Sequence, residues 1–244
     1  MNDAVGSKNM VPEAGVGDPA QYYKRDFWSQ ENLKFSEPWY RLQKSAQIIR
    51  QLAGRRKCTL LDVGCGPAAM MHVLPPNIEY YGIDIAIHNP APNLIEADLL
   101  ESPIAFGDKQ FDFVVAQGVF EYVGEFQSQK FAEIARLLTE DGKFITTYTN
   151  FSHRKKYVYP AFSNVQSFDS FRQDLTRFFT IDRFFPGSHN WKHSQPSRKL
   201  VKVANMHISM NIPFISPALA VEYYFICSSR KSRGPAQMQA QGAS

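Results

Sequence analysis

The sequence predicts an α/β fold, a mainly parallel sheet with helices on both faces, and three observations carry that prediction. First, short apolar runs that end at an acid recur: Leu60-Leu61-Asp62, Tyr80-Tyr81-Gly82-Ile83-Asp84 and Leu94-Ile95-Glu96-Ala97-Asp98, followed by a fourth run, Phe111-Asp112-Phe113-Val114-Val115-Ala116-Gln117. Runs of this kind mark parallel strands buried on both faces. Second, the first run opens into Gly64-Cys65-Gly66-Pro67, where two glycines permit a tight turn and bare backbone, and Pro67 suits the first turn of a helix. Third, stretches with apolar residues at helical spacing flank these runs, and such alternation builds a layered sheet-and-helix domain.

A chain of 244 residues that is 44% hydrophobic fits one domain with embellishments and can bury a sizeable core. The formal charge of +4 is mildly basic. Its basic runs (residues 55–57, 153–156 and 230–233) read as solvated surface, and no aromatic-interleaved RNA-binding motif accompanies them. No nucleic-acid partner is expected. The three cysteines, Cys58, Cys65 and Cys227, are odd in number and lack metal-ligand spacing, which fits a reducing compartment. The N-terminus has no apolar signal region. Residues 203–221 form the longest uncharged run, but Pro213, Pro217 and His207 make it a poor membrane span. The chain reads as cytoplasmic, with contact at a membrane surface left open.

In order along the chain, residues 1–19 are rich in Gly, Ala, Pro, Asn and Asp and are predicted to be disordered. Residues 20–56 form a helical cap. It begins with the aromatics Tyr22, Tyr23, Phe27, Trp28 and Phe35. A helix follows that Ser36 caps, Pro38 starts and Gly54 stops, with Trp39, Leu42, Ala46 and Ile49 on one face. The core domain is residues 57–228. The helix after the glycine loop must be short, because Pro75-Pro76 ends it. Asn89-Pro90-Ala91-Pro92 is a loop, so no long helix separates the second and third strands. Residues 118–123 form the loop after the fourth strand. The next helix carries Phe131, Ile134, Ala135 and Leu138 on one face and stops before Gly142. Residues 143–149 are the fifth strand. Ser167 caps a helix bearing Phe168, Phe171, Leu175 and Phe178. Residues 180–185 and 221–227 are the sixth and seventh strands. An insertion at 186–220, basic and then apolar, separates them, and a disordered tail runs from 229 to 244.

The glycine loop, with Asp84 22 residues beyond Asp62, then the acid-ended third segment and the fourth strand, resembles the class I S-adenosylmethionine-dependent methyltransferases (SAM methyltransferases) over residues 57 to 150. The rival nucleotide-binding reading, a dinucleotide-dependent oxidoreductase, requires G-x-G-x-x-G, and position 69 is Ala69. The resemblance implies a Rossmann-like sheet of seven strands, the last antiparallel, with SAM as cofactor. It also implies roles for particular residues. Asp84 is the ribose carboxylate, able to accept from two hydroxyls at once, or otherwise a helix cap. Asp98 accepts from the adenine amino group with the Leu99 N–H nearby, or otherwise forms a turn. Gly64 and Gly66 bring backbone against the cofactor, and Asp62 orients the loop or reaches the methionine ammonium through water. Gln117 and Gly118 match the loop that contacts the methionine part. Tyr22, Tyr23, Arg25 and Trp28 in the cap either touch the methionine end or pack the cap onto the sheet. Relatives often have a third glycine where this chain has Ala68. A methyl group is harmless there if φ is negative; if φ is positive the loop is strained and affinity falls.

Methyl transfer to a hydroxyl needs a base near the sulfonium. Two candidates lie at the carboxyl edge of the sheet: Glu121, which could instead cap a helix, and His153 in Asn150-Phe151-Ser152-His153, which could instead be a surface histidine. The latter stretch is similar to one in the MetW family of methyltransferase-like proteins. His189 and His193 sit in a loop with no carboxylate close in sequence, so they read as part of a substrate lid and no metal is expected. The sequence therefore points to a SAM-dependent methyltransferase acting on a small-molecule or saccharide-type (glycan) acceptor, on oxygen. The alternative is a non-catalytic SAM-binding, MetW-like partner or regulatory protein.

Overall fold

The computed structural model describes residues 25–36, 40–149, 167–189 and 220–230. The predicted disordered residues 1–19, Tyr22, Tyr23, His153, His193 and most of the 186–220 insertion lie outside the described residues. Among the described residues seven strands form one sheet: β1 (Cys58–Val63), β2 (Ile78–Asp84), β3 (Leu94–Glu96), β4 (Phe111–Ala116), β5 (Leu138–Thr149), β6 (Phe179–His189) and β7 (Ala220–Ser229). Their order is β3-β2-β1-β4-β5-β7-β6. The first five are parallel, and β7 runs antiparallel between β5 and β6.

Strand periodicity divides the core between the two faces. Leu60, Phe113, Val115, Ile145, Tyr224 and Ile226 face one side, where Ile48, Ile49 and Ala53 of helix α2 (Tyr40–Ala53) cover them. Their neighbours Leu61, Val63, Val114, Phe144 and Phe225 face the other side. There they meet Phe131 and Ile134 of α4 (Gln127–Leu137) and Phe171 and Leu175 of α5 (Phe168–Phe178). Both faces are covered, so the strands read as continuous apolar runs rather than alternating ones. Helix α5 starts where expected, with the Ser167 hydroxyl accepting from the Ser170 N–H. As expected, no helix joins β2 to β3. Among the described residues no helix is long and apolar enough to cross a membrane.

Several boundaries differ from the sequence reading. The expected helix after the glycine loop is a single 3-10 turn, Ala69–His72, squeezed between Ala68 and Pro75-Pro76. The Ser36 hydroxyl donates to the Leu33 carbonyl and α2 is described from Tyr40; Pro38 and Trp39, where its expected cap would act, lie outside the described residues. Strand β3 stops at Glu96, because Asp98 folds back on the Leu100 N–H in a turn. Four of the six residues of the expected loop at 118–123 form a short helix, α3 (Phe120–Val123). Leu138 opens β5 instead of closing α4. The register with β4 jumps from Phe111↔Leu138 to Phe113↔Lys143, so 139–142 bulge out of the ladder. Residues 186–189 belong to β6 and residue 220 to β7, and Ser229 is buried in β7, not in a tail.

Phe131 sits at the centre of an aromatic cluster, with ring centroids 4.4 Å from Phe120, 5.5 Å from Phe171 and 6.0 Å from Phe144. Its truncation leaves a cavity that rigid neighbours cannot fill. Phe131→Ala is expected to lower the unfolding free energy by about 3–5 kcal/mol in urea titrations. A loss below about 1 kcal/mol would show that this cluster is not the packing centre.

Candidate functional site

The glycine loop leaves β1 at the carboxyl edge of the sheet and is pinned to the neighbouring strand. The Gly64 and Cys65 N–H groups both donate to the Ile83 carbonyl, at 2.8 and 3.2 Å. Gly64 has φ 72°, and a Cβ there would lie 2.3 Å from Val119 Cγ2. No side chain fits at that position. Gly66 has φ 54°, and Ala68 follows with φ 57°, the one residue other than glycine with positive φ among those described. The condition set by the sequence is thus resolved toward strain, because a left-handed alanine brings Cβ against its own carbonyl at a cost of about 1–2 kcal/mol.

Asp84, at the end of β2, is buried and fully engaged. Its Oδ2 accepts from the Gly66 N–H at 2.8 Å, and its Oδ1 accepts from the Ala86 N–H at 3.1 Å and from Asn32 Nδ2 at 2.9 Å. Burial raises its pKa, and these donors oppose the shift. It caps no helix. Asp62 ends one position short of the loop and accepts from the Tyr80 hydroxyl at 2.9 Å. Burial pushes its carboxyl from 3.8 to about 7, against the Tyr80 hydrogen bond, and the Asp84 charge adds to the rise. Asp98 and Leu99 are half-buried beyond β3. The Asp98 carboxylate accepts from the Leu100 N–H at 2.8 Å, so the turn-forming role is present.

The cap crosses this edge. It comprises α1 (Arg25–Glu31) and a 3-10 turn, Asn32–Phe35. Arg25 pairs with Glu96 at the end of β3, N to O 2.6 Å. Trp28 packs edge-on against Phe27 and Tyr122, with centroids 5.2 and 5.0 Å apart, so its ring anchors the cap to α3. Asn32 is 4% exposed and reaches Asp84 and the Ala86 carbonyl.

On the other side of the loop, Gln117 turns away toward α2 and β7. Its Nε2 donates toward the Arg41 carbonyl (3.2 Å), the Tyr224 hydroxyl (3.3 Å) and the Ser45 hydroxyl, while its Oε1 is buried without a partner. The Gly118 N–H donates to Thr147 Oγ1 at 3.0 Å, and a Cβ on Gly118 would lie 2.9 Å from Arg41 Nη1. Glu121 opens the first turn of α3 and is 5% exposed. The Thr149 hydroxyl donates to its Oε1, and its Oε2 is buried with no partner. Burial raises its pKa, and the Thr149 hydrogen bond and Arg41 charge hold the rise back. Arg41 Nε pairs with Glu222 at 2.5 Å. Burial opposes the guanidinium charge, but Glu222 and Glu121 outweigh it and raise the Arg41 pKa.

The structure therefore gathers Asp62, Gly64, Gly66, Asp84, Gln117, Gly118, Glu121 and Trp28 along one edge. Sequence reasoning missed Asn32, Arg41, Thr149 and Glu222. Glu222 carried a usable signal, being a lone acid in the apolar run Val221-Glu222-Tyr223-Tyr224-Phe225. Asn32 carried none, because its partner is 52 residues away. Among the described residues no cluster of His, Cys, Asp and Glu is placed to hold a metal.

Two predictions follow from this geometry. Ala68→Gly removes the left-handed strain but adds glycine's unfolded-state entropy, so a net gain of up to about 1 kcal/mol is expected by urea titration. A loss of stability would mean that the Ala68 methyl packs more strongly than its backbone is strained. For Asp62, the folded chain keeps up to about pH 7 a proton that the unfolded chain loses near 3.8. Stability is then fullest below pH 3.8, falls as pH rises to about 7, and is level above. The loss has a ceiling on the order of 4 kcal/mol. Asp62→Asn should flatten this dependence, so its stability relative to the native chain rises between pH 5 and pH 8. An equal difference at both pH values would assign the titration to another group.

Three comparisons bear on identity. Residues 61–146 match the methyltransferase domain family. Among proteins of curated function, none matches the sequence. Solved structures do match. One is a TehB-like SAM-dependent methyltransferase from Corynebacterium glutamicum, with a TM-score of 0.53 and 14% identity, covering 87% of this chain and 100% of that one. Another is a chain from the Haloferax volcanii complex of the Trm112 methyltransferase activator with a methyltransferase, with a TM-score of 0.58 and 14% identity over 84% and 96% of the two chains. A third is the N-methyltransferase NodS of Bradyrhizobium japonicum bound to S-adenosyl-l-homocysteine (SAH), with a TM-score of 0.53 and 13% identity over 83% and 98%. At these identities the neighbours speak for the fold, and the domain match speaks for residues 61–146. With the strand order β3-β2-β1-β4-β5-β7-β6 and a glycine loop facing the β2 acid, the chain has the fold of the class I SAM-dependent methyltransferases, and its residues 61–146 match the methyltransferase domain family.

Proposed function

We propose that this enzyme transfers a methyl group to oxygen of a small-molecule or saccharide-type acceptor, with Glu121 as the base. The observation that carries the reading is the Glu121 carboxylate: buried at the carboxyl edge, held through Oε1 by Thr149, and with Oε2 unpartnered. The residues present fit SAM. The Gly66 face is bounded by the Asn32 side chain and by no backbone, at 3.6 Å from a would-be Cβ, so a ligand is admitted where that side chain gives way. Asp84 would hold the ribose hydroxyls, Asp98 and the Leu99 N–H the adenine, and the Gly64, Gly66 and Gly118 backbone the methionine part. Asp62 would orient the loop through Tyr80, and Trp28 would lie on the cap side of the methionine part.

When bound, SAM supplies a methyl group already activated on a sulfonium. The chain's own task is to align a hydroxyl and take its proton. Glu121 Oε2 has the free lone pairs for this. Its raised pKa makes it a stronger base, and the Thr149 hydrogen bond and the Arg41 charge favour the ionised form that burial opposes. Tyr148, whose hydroxyl is pushed up to about 12 by burial and by the Glu121 charge, stays protonated as a donor nearby. His153 is the second base candidate, and Tyr23 a second cap contact. The division that goes with this reading is a cap at 20–56, a catalytic domain from 57 to the end of β7, and a substrate-side insertion between β6 and β7. The three cysteines are all free and buried, which supports a reducing, cytoplasmic setting.

A specific observation favours a second reading. Asp84 is already occupied by Asn32, as in a chain that waits for a protein partner before taking its cofactor, and the Haloferax neighbour was solved with an activator. Calorimetric titration with SAM and with SAH separates the two readings. Micromolar binding, lost in Asp84→Ala, is expected; no binding without a co-purifying partner favours the second. The acceptor atom is then tested by SAH release over a panel of saccharides, alcohols and amines. Glu121→Gln should slow a hydroxyl acceptor by about 10²–10⁴-fold. Turnover confined to amines and indifferent to Glu121 would refute the oxygen assignment.

A further inference from the structure

The Asp84 carboxylate has no room for a diol as it stands. An ionised carboxylate offers about four lone-pair sites. Here the Gly66 and Ala86 N–H groups and Asn32 Nδ2 take three of them. Two of these donors belong to the backbone just beyond β2 and to that of the loop pinned to it. Asn32 alone comes from elsewhere, from the cap. The same side chain fills the space that the bare backbone of Gly66 leaves, with its Oδ1 and amide carbon 3.6 and 3.7 Å from a would-be Cβ. At 4% exposure it leaves little gap beside it. The first helix of the cap is fastened by Arg25 to Glu96 beyond Asp84 and by Trp28 to Tyr122 across the loop.

From this geometry we infer that Asn32 and the cofactor ribose compete for Asp84, so that residues 25–36 form a strap that must lift for SAM to enter. The inference rests on Asp84 being the ribose carboxylate. The contacts that hold the strap include the Asn32 hydrogen bonds to Asp84 and the Ala86 carbonyl, the exposed Arg25–Glu96 pair and the edge-on packing of Trp28 on Tyr122. None of these lies in the two packed cores, so the strap can open without unfolding the sheet. The apparent affinity for cofactor is reduced by the fraction of molecules with the strap open.

The test uses SAH as probe, on the full chain. Calorimetry compares the native protein with Asn32→Ala, Arg25→Ala and Asp84→Ala, each checked by thermal melting. Asn32→Ala should bind SAH about ten-fold more tightly, having lost the competitor. Arg25→Ala, which disturbs only a surface pair, should bind it a few-fold more tightly. Hydrogen exchange of the native chain, with and without saturating SAH, reads the strap directly: amides at 25–36 should exchange faster with ligand. Equal or weaker binding by Asn32→Ala, or slower exchange at 25–36 with SAH, overturns the strap and leaves the cofactor assignment standing, with Asn32 as a ligand or bystander. Undiminished binding by Asp84→Ala, or no binding by any variant, overturns the assignment of Asp84 and the strap with it.

Discussion

A carboxylate taken out of water must be met by donors, and the arrangement around Asp84 follows from that requirement. An isolated buried charge is costly, and hydrogen bonds from fixed N–H groups are what hold it in its ionised form. Meeting the demand at the end of β2 draws in the Gly66 N–H and so sets the path of the loop leaving β1. It also draws in Asn32 and so sets where the cap lands. One group thereby couples two strands, the glycine loop and a segment more than fifty residues upstream. The edge that results is polar and partly strained, whereas the two faces of the sheet are plain apolar packing. Ala68, Asp62 and Glu121 each sit in a conformation or environment that isolated residues avoid, and all three lie on this edge. Strain and desolvation gathered in one place on a rigid scaffold are a usual property of ligand sites.

The fold was largely legible from the sequence because its signals are local. An apolar run of six residues that ends at Asp62 or Asp84 declares a strand buried on both sides, and Ser167 followed by Phe168, Phe171 and Leu175 declares both the start and the buried face of a helix. The misreadings are also local in origin. Asp98 looked like a strand end because its own turn is made by a side-chain bond to Leu100, which pattern cannot show. The strand at 138–149 looked shorter because Gly142 reads as a helix stop, whereas it lies in a bulge. Pro67 promised a helix, but the left-handed Ala68 leaves space for a single 3-10 turn.

The site was legible to the extent that it is carried by a motif. The loop glycines and the two acids were found by spacing. Arg41, Thr149 and Glu222 were not, since they come together only when β7 pairs with β5 in the register Thr149↔Glu222 and α2 lies across both. Gln117 was found by position but not by direction: its amide faces α2 and Tyr224 rather than the loop. A second layer of this kind, in which Thr149 orients Glu121 and Arg41 balances two carboxylates, depends on tertiary contacts and leaves no spacing to detect.

The placement of β7 between β5 and β6 has a consequence for how the chain is made. Among the described residues β6 is an edge strand whose sole neighbour is β7, and β7 is the later of the two in the chain. While synthesis has reached residue 189, β6 has no strand to pair with, and β5 presents an open edge where β7 will later go. Parallel strands β1 to β5 and their helices can assemble during this interval, but the ladder closes only after residue 229 has left the ribosome. Until then two hydrogen-bonding edges stand exposed, and this is the stage of the protein's life at which pairing with another chain competes most directly with its own completion.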